Sequence, residues 1–171
     1  MLRSDSRSEQ GGDKLRVALW GEAFASVNPI SFDDPALVSE DQPHKAEPLG
    51  GLMALLGALY EESVEAVVVR GGLVGYASML SSPYIYVPYD ILVPGILTVG
   101  DLSDVAAALA PRSLRLEGLV DGRNRVVSMP ELRRWLEPTL EAYESSACRL
   151  LMKTDLTDDV APWLSAALED S

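Results

Sequence analysis

Few residues in this chain could do acid–base, nucleophilic or metal chemistry. Its 171 residues include one histidine, His44, and one cysteine, Cys148. One of each cannot assemble a His/Cys zinc site, and a lone cysteine closes no internal disulfide. No metal or cofactor is expected. A mechanism that needs a general-base histidine must use His44 or borrow one from another chain. His44 stands in Gln42-Pro43-His44-Lys45, just ahead of an apolar helix. It could project over a site there, or be a solvated loop residue beside Lys45 and Asp41. Asp121, in Asp121-Gly122-Arg123-Asn124, follows an apolar strand run and is either a site carboxylate or a turn residue, since Asp-Gly is common in turns. Arg70 ends another such run. It could meet an acid in the crevice at the carboxyl ends of a parallel sheet, or serve a structural ion pair. Tyr84, Tyr86 and Tyr89, with Pro83 and Pro88 between them, suit a pocket wall or lid, or a loop packed on the core.

The charge balance narrows the partners. With 26 acidic and 14 basic side chains the formal charge is -12, which repels phosphate backbones and anionic lipid heads. Nucleic acid and membrane surfaces are therefore not expected partners. The length suits one globular domain, one that could bury roughly 70% of its unfolded surface. Residues 1–14 (MLRSDSRSEQGGDK) form a polar, disordered-type leader without the apolar run of a secretory signal, and the expected location is cytoplasmic. Every apolar stretch is shorter than the roughly 18 residues of a spanning helix.

Strands and helices alternate along the rest. Leu15 to Trp20 (LRVALW) predicts a buried strand stopped at Gly21. From about 26 to 48 the chain is rich in Asp, Pro, Ser and Asn and reads as a loop insertion, whose length of about twenty residues is unusual in a compact domain. Pro48 opens a helix over Leu49 to Tyr60, apolar nearly all round. Val64 to Val69 is apolar on both faces, as in a parallel strand covered on both sides. Leu73 to Gly100 reads as loop with short helical turns. Asp101 is the expected N-cap of a helix over Leu102 to Leu109. Leu114 to Val120 predicts a third strand, Pro130 to Tyr143 an amphipathic helix, Arg149 to Met152 a fourth strand, and Val160 to Leu168 a terminal helix. The prediction is an α/β fold whose parallel sheet of about four strands is flanked by helices, spanning residues 15–171.

Gly71-Gly72-Leu73, Val93-Pro94-Gly95, Gly100-Asp101-Leu102 and Ala110-Pro111-Arg112, in this order, resemble the C-terminal half of an α/β-hydrolase. The likeness is to acetyl xylan esterase-like and prolyl oligopeptidase-like serine hydrolases, and it runs roughly from Leu15 to Tyr143. It implies a partial sheet of that family and ester hydrolysis through an acyl-enzyme. It also implies a nucleophilic serine on a strand-to-helix elbow flanked by small residues. The elbow here reads Gly21-Glu22-Ala23-Phe24-Ala25, with Ala23 at the nucleophile position. A second alignment, Ala46-Glu47-Pro48-Leu49-Gly50, offers Pro48. Ser26, three residues past Ala23, would serve only in a different turn geometry. Asp121 matches the acid position. The histidine expected after the last strand is missing from Lys153-Thr154-Asp155-Leu156-Thr157, and a triad without its base cannot activate serine. Gly71-Gly72 is only superficially like an oxyanion pair, because that hole also draws on a loop after an earlier strand.

The resemblance implies a degenerate or partial α/β-hydrolase, a pseudoenzyme of the carbohydrate acetyl esterase type, not catalytic on its own. Three alternatives stand: a ligand- or protein-binding module, the C-terminal part of an active ester hydrolase, and an enzyme using Asp121 with His44 on a bound water. Small ester or carbohydrate ligands are the expected partners. The strand at 15–20 would be central in the full family sheet and becomes an open edge here. Either it belongs to a truncated hydrolase, or self-association or a partner chain covers it.

Overall fold

A computed structural model describes residues 16–30 and 43–169. The predicted leader, Leu15 and the middle of the predicted loop lie outside these residues. Four strands, β1 (Val17–Glu22), β2 (Val64–Arg70), β3 (Ser113–Glu117) and β4 (Leu150–Lys153), form one sheet in the order β1-β2-β3-β4. All neighbours pair parallel. Helices α1 (Leu49–Tyr60), α2 (Leu102–Ala107), α3 (Met129–Trp135), α4 (Glu137–Ala142) and α5 (Val160–Glu169) connect and flank them. The protein is thus an α/β fold with a four-stranded, all-parallel sheet covered by helices.

The two faces differ. Val67, Val69, Leu114 and Leu116 point to one face, where they pack with Leu55 and Ala58 of α1, Ala106 of α2 and Leu132 of α3 in the main core. Ala66, Val68, Arg115 and Glu117 point to the other, where the Trp163 ring of α5 lies 5.6 Å from the Arg115 guanidinium carbon. Val67 and Val68, on opposite faces of β2, are both fully buried, as the unbroken apolar run requires. The segment between β2 and α2 holds three 3₁₀ turns, Tyr76–Ser81, Tyr89–Ile91 and Ile96–Thr98. It encloses a second apolar cluster around Tyr76, Met79, Val87 and Ile91. The Tyr76 hydroxyl donates to Ile91 O at 2.6 Å inside that cluster.

Several boundaries depart from the sequence pattern for identifiable reasons. Gly21 does not stop β1, which continues to Glu22 with Gly21 paired to Val69 and Glu22 to Arg70. A Cβ on Gly21 would lie 2.0 Å from Gly50 O, so this glycine lets the start of α1 press onto the strand. β3 ends at Glu117 because Gly118 turns to φ +56, and Val120 then makes isolated bridges to Leu73 and Val126. The helix predicted over 130–143 breaks at Leu136, which has φ -101 and ψ 22. Pro138 lacks an N–H and its ring would strike the carbonyl four residues back. Asp101 caps α2 as expected, accepting from Leu102 N at 2.7 Å while Asp104 returns a bond to Asp101 N, also 2.7 Å. Among the described residues no single helix is long and apolar enough to cross a membrane.

Candidate site at the carboxyl ends of the strands

The last residue of each strand is charged, and the four stand side by side. Glu22 pairs in register with Arg70, Arg70 with Glu117, and Glu117 with Lys153. The row alternates in sign across the whole sheet. Arg70 Nη1 donates to Glu22 Oε1 at 2.7 Å and its Nε to Glu117 Oε2 at 3.1 Å. Arg115, one pleat back on β3, donates through Nε to Glu117 Oε1 at 2.8 Å. The loop after β4 closes the cluster. Thr157 Oγ1 lies 2.9 Å from Glu117 Oε1 and 2.6 Å from Asp159 Oδ1, and Arg115 also bonds Asp159. The Thr157 hydroxyl first, and Arg115 second, hold the Asp159 carboxyl well below the usual carboxylate range. Trp20 shields the outer end, its ring 5.9 Å from the Arg70 guanidinium carbon.

One residue further on, the chain forms a depression. Ala23, Gly71, Gly118 and Thr154 each follow the last residue of a strand, and all four line one hollow of about 210 Å³. Glu47, Asn124 and Asp155 add polar groups to its wall. The charge row beneath holds the strand ends level, and Gly71 N donates to Glu117 O at 2.9 Å. Gly71 has φ +67, and a Cβ there would lie 2.9 Å from the Ala23 methyl. The hollow lies at the carboxyl end of the parallel sheet, the end at which α/β proteins bind ligands, but the sequential strand order has no reversal of the kind that opens a crevice there.

Two buried asparagines anchor the flanking loop. Asn28 donates through Nδ2 to His44 O at 3.0 Å and to Arg123 O at 2.9 Å, and accepts from His44 N at 2.8 Å. Asn124 Nδ2 donates to Ser26 O at 2.9 Å and to His44 O at 3.1 Å. Both ends of the long insertion are thereby pinned to the turn after β3.

The sequence-predicted site residues do not converge on one point. Ala23 lines the strand-end hollow, whereas Asp121 lines a separate depression of about 560 Å³ with Arg134 and Trp135. Asp121 is also engaged within its own turn. Its Oδ1 accepts from Arg123 N at 2.9 Å and Arg125 N at 3.0 Å, and its Oδ2 from Arg125 Nε at 2.9 Å and Nη2 at 2.7 Å. His44 is held by its backbone and the residue is exposed. Ser26 is exposed and offers its carbonyl to Asn124. Tyr84 and Tyr89 are exposed, while Tyr86 bridges Ala46 and Gly122 through its backbone. Arg70 forms ion pairs with Glu22 and Glu117.

Of the charge cluster only Arg70 stands out in the sequence. Its other signal is the alternation Leu114-Arg115-Leu116-Glu117, because period two sets both charges on one face of an otherwise apolar strand. No family model, no curated protein and no solved structure matches the chain.

Proposed function

We propose that this chain is a non-catalytic, α/β-hydrolase-like binding module that takes a small neutral ester or carbohydrate in the strand-end hollow. One observation carries the reading: the residue after every strand lines this hollow, and the one after β1 is Ala23, where the hydrolase resemblance would set the nucleophile. The chemistry of the wall agrees with it. Glu47 and Asp155 disfavour anionic ligands, and the volume of about 210 Å³ is on the scale of one acetylated monosaccharide. Asp121 adds support, because a carboxylate accepting four hydrogen bonds within its own turn has little freedom to orient a base.

The test combines turnover with binding. Hydrolysis of p-nitrophenyl acetate should stay at the buffer rate. Titration with a monoacetylated methyl xyloside should shift the amide resonances of Gly71, Gly118 and Thr154, and Ala25→Phe, which fills the hollow, should remove those shifts. Turnover above buffer that is abolished by both Asp121→Asn and His44→Ala would overturn the reading in favour of an enzyme.

A further inference from the structure

β1 borders the sheet, and among the described residues its outer edge is unpaired. Ala23 N donates inward to Arg70 O at 2.9 Å. Backbone groups alternate sides along a strand, so Gly21 and Leu19 also point to β2, and Ala18, Trp20 and Glu22 turn their N–H and C=O groups outward. The pairing with β2 shifts register between Val17 and Ala18, and Arg16 stands just ahead of β1. The surface beside this edge is apolar. Leu19, Trp20, Phe24 and Met53 line one groove along it, with Trp20, Phe24 and Met53 exposed by 46%, 85% and 60%. Exposed backbone along an apolar edge is a template for another strand.

We infer that the occupant is a second copy of this chain, with the two β1 strands antiparallel about a two-fold axis at Leu19. The residues themselves select this register. Centred on Leu19, Ala18 faces Trp20 of the second copy, two outward-pointing residues that can exchange ladder bonds, and Arg16 comes opposite Glu22. The smallest side chain on that face meets the largest, and at both ends Arg16, which also bonds Leu168 O and lies 3.9 Å from Glu65, meets Glu22, which also pairs with Arg70. Cross-strand pairs of these kinds stabilise a sheet. Centring on Ala18 instead sets Trp20 against Arg16, and centring on Trp20 sets the two indoles against each other. Both alternatives lose the Arg16 to Glu22 pair. An isologous contact of this kind closes on itself and gives a dimer, not a fibre. Its product is a continuous eight-stranded sheet made from two sheets of four strands.

The test uses the full chain at physiological ionic strength, where charges more than about 8 Å apart are largely screened. Sedimentation over a concentration series should show a species of twice the 18.5 kDa chain mass. Trp20→Lys should shift it to monomer while the far-ultraviolet circular dichroism stays unchanged. Register is read by cross-linking in a Cys148→Ser background. Opposed, non-hydrogen-bonded residues lie about 4.5 Å apart at Cα, within disulfide reach. Leu19→Cys should therefore oxidise to a covalent dimer, and Trp20→Cys should not. A wild-type chain that stays monomeric throughout overturns the inference. So does a dimer that survives Trp20→Lys and fails to cross-link through Leu19→Cys. Neither result bears on the strand-end hollow.

Discussion

Arg115 and Glu117, two residues apart on β3, are both fully buried and face each other on the same side of the sheet, with Arg115 Nε 2.8 Å from Glu117 Oε1. Breaking such a pair costs more than replacing it, because the remaining charge is stranded in a low dielectric. Glu117→Ala should lower the unfolding free energy by about 3–5 kcal/mol. The double variant Arg115→Met/Glu117→Leu should lose clearly less. Urea denaturation of the three proteins measures both, and equal losses would refute the argument.

Asp159 gives this cluster a pH dependence. Its folded-state acidity is raised by Thr157 and Arg115, so its contribution is present above the unfolded-state value of about 3.9 and is lost as pH falls towards the folded value. Asp159→Asn should therefore be less stable than wild type at neutral pH. The gap should narrow as pH drops below about 4. Thermal unfolding of both proteins across this range tests the sign.

Tyr143 shows the opposite direction. Burial pushes its hydroxyl far above the ordinary tyrosine value, and the hydroxyl donates to Arg112 O at 2.7 Å. The stability it lends is complete below the unfolded value of about 10 and is lost as pH climbs beyond it. Tyr143→Phe should cost about 1–3 kcal/mol at pH 7, because the Arg112 carbonyl loses its donor. The variant should also lack the alkaline loss. Urea midpoints at neutral and high pH check both points.

Two glycines in α1 contacts should respond differently to alanine. At Gly21 the new methyl would lie 2.0 Å from the Gly50 carbonyl oxygen, which is backbone and cannot move alone. At Gly57 it would lie 3.0 Å from Leu19 Cδ1, the far end of a side chain that can rotate. Exchanging a helical glycine for alanine also gains about 1 kcal/mol of propensity. Gly21→Ala should abolish or severely weaken folding, and Gly57→Ala should change stability little. Circular dichroism and thermal melts distinguish them.

Introducing a hydroxyl at Ala23 should not create chemistry. Ala23→Ser places an oxygen at the strand-end hollow, but Asp121 lines a different depression and the His44 backbone is held by Asn28. Without a histidine set by a carboxylate to take its proton, serine is not activated as in a triad. Acetyl-ester hydrolysis by Ala23→Ser should stay at the buffer rate, and a clear burst of product would contradict this.

Much of the fold was legible in local pattern. The unbroken apolar run of β2, the apolar α1 behind Pro48 and the Asp101 cap each declare themselves within a few neighbouring residues, and each is observed. Local pattern misplaced ends where a single residue overruled it. Pro138 divides α3 from α4, and Gly118 ends β3 by adopting φ +56. The capping pair of Ser128 and Glu131, with Oγ 2.5 Å from Oε2, was also available in the sequence as Ser-Met-Pro-Glu at the start of α3.

The sequence by itself determined the class of fold and the poverty of the chemistry: one histidine and one cysteine in 171 residues. Those follow from residue identity and spacing along the chain. Tertiary structure alone decided that Glu22, Arg70, Glu117 and Lys153 form one alternating row, that Ala23, Gly71, Gly118 and Thr154 share one hollow, and that Asp121 does not open onto it. The four strands lie far apart in sequence, and only parallel pairing in register makes their ends neighbours. No spacing along a one-dimensional chain encodes that register, because it depends on how segments distant in sequence pack together on the sheet.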